Sequence, residues 1–208
     1  MTTMTLFSDD DQKQIEAAIA EVEKKSATEL VVAILPQSGD YRLPRLLVAA
    51  CWSLAAGLAL ATFWPEESAI VALLLQVPIA VVSYLALGIA PLWRALIHPA
   101  RAAAEVERRA FALFAERGLH NTRDRTGMLI LVSELEHRVV ILGDRAIHER
   151  VGDSGWQAHV DRIVRGIRHG QAAAGVVEVI RELEKTHGEL LPVAAGDTNE
   201  LANEIIRK

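Results

Sequence analysis

The chain has 208 residues, a formal net charge of −5 and 24% charged residues. That acid excess argues against a nucleic-acid partner, because phosphate backbones are held by basic faces. Cys51 is the single cysteine, so a disulfide framework and a cysteine-based zinc site are both excluded.

Met1 to Leu6 lack the basic flank and apolar core of a signal peptide. Ser8 is a good helix N-cap, and Asp9, Asp10 and Asp11 put negative charge on the first turn, where the helix dipole favours it. Ile15, Ala18, Ile19 and Val22 recur at helical spacing, and Lys24 and Lys25 close the helix. Residues 29–35 form an unbroken apolar run after Glu29, the pattern of a strand covered on both faces. Residues 37–44, with Gly39 and Pro44, read as a linker.

Residues 46–93 hold no Lys, Arg, Asp or His. They divide into apolar runs 46–64 and 68–93 around Pro65, Glu66 and Glu67. A bilayer core takes roughly 20 apolar residues per helix, so the pattern predicts a transmembrane hairpin with a tight turn. Arg42 and Arg45 precede it, Arg94 and Arg101 follow it, and the turn has no basic residue. The bias of basic flanks towards the cytoplasm therefore predicts a two-span membrane protein with both termini cytoplasmic, and Trp64 and Trp93 at the two interfaces. Ala49, Ser53, Gly57 and Ala61 recur every fourth residue, a small-residue face for close helix packing. Gln76 needs a polar partner away from water and falls level with Gly57. The face either packs the hairpin on itself or docks a second copy or a partner's helix.

Beyond the hairpin, residues 99–117 predict a helix with Val106, Ala110, Leu113 and Phe114 on its apolar face and Gly118 after its end. Residues 128–132 and 139–142 predict an antiparallel strand pair joined by a polar turn. A short helix over 145–151, a turn at Gly152-Asp153-Ser154-Gly155 and two further helices follow. The first of these carries Trp156, Val160, Ile163, Val164 and Ile167; the second carries Ala173, Val176, Val177, Ile180 and Leu183. Residues 193–208 read as a flexible tail, helical at its end. Residues 1–45 cannot cover their own strand, so they must fold with residues 94–192 into one α/β domain that the hairpin (46–93) interrupts.

Asp144, at a strand end, is of a type that ligates a hard cation, Ca²⁺ or Mg²⁺, with Asp153 and Asp161 as partners. The commoner use of Asp before a helix is a cap. His148 and His159 lack the spacing of a metal pair. Arg123, Arg125 and Arg145 suit phosphate, or the headgroups of membrane lipid. No nucleophile elbow, P-loop or dinucleotide fingerprint is present.

The helix 9–24, the strand 28–34, Phe111-Ala112-Leu113-Phe114, the run 126–133, and Glu136 to Ile141 together resemble the TPM domain. Gly166, Gly170 and Gly175 continue the likeness, which covers about residues 6–36 and 101–190. The resemblance implies a three-layer α/β sandwich with a small mixed sheet, tethered to a membrane. It also implies accessory roles in photosystem repair and in respiratory or receptor complexes, an acid phosphatase activity, and divalent metal near acidic loops. Family members carry a Gly-Tyr-Gly-Leu-Glu-like segment after the third strand; here it is Gly143-Asp144-Arg145-Ala146-Ile147. The function expected is an accessory module that binds or stabilises a membrane protein complex, or self-associates. The alternative is a tethered metal-dependent phosphohydrolase.

Overall fold

The computed structural model describes residues 6–26, 28–64, 69–122, 125–190 and 205–207. The chain divides into two compact units, Met1–Ser38 with Ala103–Lys208, and Gly39–Ala102.

The first unit is a mixed α/β structure. Helix α1 (Asp9–Lys25) begins with a capping box in which the Ser8 side chain accepts from the Asp11 amide and Asp11 accepts in return from the Ser8 amide. Strand β1 (Glu29–Leu35) runs parallel to β2 (Gly127–Ser133), with Leu30 opposite Met128 and Ile34 opposite Val132. Strand β3 (Arg138–Gly143) returns antiparallel to β2. The sheet order is β3-β2-β1-β4. Strand β4 is Ile206–Arg207, parallel to β1 at Ala33 and Ile34. A helical end was expected there; pairing instead satisfies backbone groups of the β1 edge and buries Ile206. The rest of the expected tail, 193–204, lies outside the described residues.

Alternation along the strands sends side chains to two cores. Leu30, Val32 and Ile34 of β1 and Met128, Ile130 and Val132 of β2 meet α1, α6 (Arg145–Arg168) and α7 (Ala172–Leu190). Val31, Ala33 and Leu35 with Leu129 and Leu131 meet Val106, Ala110 and Leu113 of α5 (Pro99–Glu116). Gly118 ends α5 at φ 69°, the left-handed geometry that glycine adopts without strain.

The predicted break at Gly152-Asp153-Ser154-Gly155 is absent, and α6 runs through it. Glycine inside a helix costs about 1 kcal/mol relative to alanine, but Ile147, Trp156 and Ile163 on the two sides of the segment are all buried. Their packing outweighs the local preference.

In the second unit, α2 (Arg42–Phe63) packs along α3 (Ala69–Ala86). Helix α2 starts inside the predicted linker, with Pro44 in its first turn, where the missing N–H costs nothing. The expected second apolar helix does not continue to Trp93. It stops at Ala86, and α4 (Ala90–Leu96) leaves at 98°. Gly88 lies in the break and Pro91 in the first turn of α4, a glycine and a proline being common causes of a sharp bend. Trp93 is buried, and its ring lies 6.0 Å from that of Tyr41. The predicted turn at residues 65–67 lies outside the described residues. Among the described residues, α2 is long and apolar enough to cross a membrane, and α3 with α4 qualifies if the bent pair is one span, by length and composition alone.

Candidate functional site

The first strand residues of β1 and β2 and the last of β3 share one edge of the sheet, and there the predicted Asp144 sits. Its amide donates to Gly127 O at 2.8 Å, prolonging the ladder. Its Oδ1 accepts from the Arg145 amide at 2.7 Å, which makes it the N-cap of α6. Its Oδ2 is buried without a hydrogen bond, and Arg125 Nη1 stands 3.8 Å away, an ion-pair distance only. Arg125 has φ 57° and donates through the same Nη1 to His120 O at 2.6 Å. The edge thus combines a largely buried carboxylate with the adjacent Arg125 guanidinium.

The other predicted ligands do not join it. Asp153 and Asp161 lie on α6 itself. A rise of 1.5 Å per residue puts them roughly 13 and 25 Å along the helix from Asp144. Asp161 is exposed and accepts from Gln157 Nε2 at 2.9 Å. Among the described residues no three His, Cys, Asp or Glu side chains are grouped to hold a metal ion. Arg145 is exposed and donates to Glu149 at 2.9 Å; that hydrogen bond and charge raise its pKa. Arg123 lies outside the described residues. His148 is exposed.

His159 is better placed than its spacing suggested. It packs edge-on to Trp156, with 6.3 Å between centroids, and its Nδ1 lies 3.4 Å from Glu182 Oε2. Burial lowers its pKa, Arg162 lowers it further, and Glu182 opposes both. Arg162 also pairs with Glu182 and, at 3.6 Å, with Glu178. Arg162, Glu178 and Glu182 line an open groove with Gln14, Arg181 and Lys185.

Sequence reasoning missed a buried polar network at the opposite end of the strands. Ser133 Oγ donates to Glu136 Oε2 at 2.6 Å, Ser38 Oγ lies 2.7 Å from Ser133 Oγ, and the Ser38 amide donates to Glu136 Oε1 at 3.0 Å. The signal available was an acid two residues before a strand, facing a serine that ends another.

In the second unit Ala49, Ser53 and Gly57 are buried and Ala61 is exposed. Ser53 Oγ donates to Gln76 O at 2.6 Å. A Cβ on Gly57 would stand 2.5 Å from Gln76 Nε2, so only glycine fits there without displacing the amide.

This sheet, with helices against it, is the architecture of a mixed α/β domain. Residues 94–186 match the TPM domain family. The BA42 protein of the psychrophilic bacterium Bizionia argentinensis, solved by NMR, is similar in fold. Its TM-score is 0.62 at 19% identity, over 100% of this chain and 99% of that one. No curated protein sequence matches the chain.

Proposed function

We propose that the chain is an integral membrane protein. Helices α2 and α3 enter the bilayer as a hairpin, and a three-layer TPM domain on the cytoplasmic side binds or stabilises a membrane complex. The carrying observation is the apolar surface of the hairpin: Leu58 is 71% exposed, Leu73 68% and Val77 69%. In water so large an apolar patch is a liability; against lipid it is the expected outer face. Arg42, Arg45, Arg94 and Arg101 favour the cytoplasmic orientation. The test is topology by fusion: a C-terminal alkaline phosphatase should be silent and a C-terminal fluorescent protein bright, with the protein retained in carbonate-washed membranes. Release by carbonate would end the membrane reading, and the reverse fusion pattern would end the orientation.

The second reading, a metal-dependent phosphohydrolase, has one observation in its favour: the buried, unbonded Oδ2 of Asp144 beside Arg125. It predicts turnover with Mg²⁺, Mn²⁺ or Ca²⁺ that Asp144→Ala removes.

A further inference from the structure

Helix α3 has 18 residues, which at 1.5 Å each span roughly 27 Å, close to the roughly 30 Å of a bilayer core. The chain then turns by 98° into α4, so α4 is not needed to complete a crossing. The turn keeps its own hydrogen bonds: the amides of Leu87, Gly88 and Ile89 donate to Ser83, Leu85 and Ala86 at 2.9 to 3.0 Å. Ile89, Leu92 and Leu96 are each about half exposed and recur at the spacing of one helix face. Arg94 is two residues from Leu92, on the other side of the helix.

Basic residues collect at this end of the hairpin. Arg45 Nη2 donates to Tyr84 O at 3.3 Å, and its guanidinium stands 4.9 Å from the Tyr84 ring centre. The contact between Tyr41 and Trp93 brings the start of α2, with exposed Arg42, beside α4. Among the described residues of 39–102, Asp40 is the one acid.

We propose that α4 is an in-plane elbow that lies on the bilayer surface. Its Ile89-Leu92-Leu96 face meets the upper acyl chains, and the arginines at the hairpin end draw the headgroups of anionic phospholipid. A right-angled turn at the end of a span, an apolar face and a basic flank are what an interfacial helix requires. The proposal rests on the membrane reading of α2 and α3.

The full chain, with Cys51→Ser, takes one fluorescent label at Leu92→Cys or, as control, at Leu58→Cys. It is reconstituted in phosphatidylcholine vesicles with and without phosphatidylglycerol. The residue 58 label should be quenched by a deep lipid spin label. The residue 92 label should be quenched by a shallow one and shielded from iodide, more completely with phosphatidylglycerol present. That added shielding should disappear in Arg42→Gln/Arg94→Gln. A residue 92 label open to iodide, or quenched best by the deep label, overturns the elbow. Indifference to phosphatidylglycerol overturns its headgroup contact. A residue 58 label that lipid does not quench sinks the membrane reading instead.

Discussion

Glu136 is a charged side chain type in a buried place, 7% exposed. Burying a carboxyl costs several kcal/mol unless donors meet it. Ser133 and the Ser38 amide supply them, so the side chain locks the end of β1 to the β2–β3 turn. Its place two residues before β3 is a weak local signal, and the partner that completes its burial, Ser38, is nearly a hundred positions away. His159 carries a pH consequence. Its folded pKa is below the ordinary 6.5, burial being the largest cause. Between that folded value and 6.5 the unfolded chain binds more protons, so stability must rise with pH there. The contribution is complete above 6.5 and is lost as pH falls towards the folded pKa. Thermal unfolding in detergent should show less acid loss in His159→Gln than in wild type. Parallel curves would mean that Glu182 holds the ring charged in the folded state.

Among elements, strands were the most legible. The apolar run of β1 and the pair β2–β3 are patterns that only a covered sheet explains, and their observed bounds differ little from those read off the chain. Helix α6 was misread because Gly152 and Gly155 are local signals, whereas Ile147 and Trp156 are held by the tertiary core. Gly166 and Gly175 show the opposite case. A Cβ on Gly166 would meet Gly175 Cα at 2.9 Å, so the two glycines let α6 and α7 cross at backbone contact. The hairpin obeys the same logic through Gly57. Gly57→Leu forces the Gln76 amide aside and should lower thermal stability in detergent by about 1–3 kcal/mol, the usual cost of overpacking. Unchanged stability with lost self-association or lost co-purifying proteins would assign this face to a partner.

For the whole molecule, the need of β1 for a second covered face was enough to infer that the segments before and after the hairpin share a sheet. In the parallel pair β1–β2, Leu30 stands opposite Met128. The site was less legible. Three aspartates within 18 positions looked like a cluster in a chain with a turn at 152–155. On a continuous helix the same spacing draws them apart. Asp144 alone was placed correctly at a strand end, because its position depends on the boundary between β3 and α6.

The nearness of Tyr41 and Trp93 means that the hairpin hands the chain back close to where it took it. Closure entropy grows only with the logarithm of the loop, about 0.6 kcal/mol for each doubling. The insertion of α2 and α3 between β1 and β2 therefore adds little to the difficulty of joining those strands. The helical hairpin is detachable in the engineering sense. Residues 42–92 exchanged for a short Gly/Ser bridge should leave a water-soluble protein with the same sheet, cooperative on heating and unchanged in far-ultraviolet circular dichroism between 20 and 30 °C, as a folded domain behaves. A product that aggregates or melts without a transition would show that the domain borrows its stability from the bilayer.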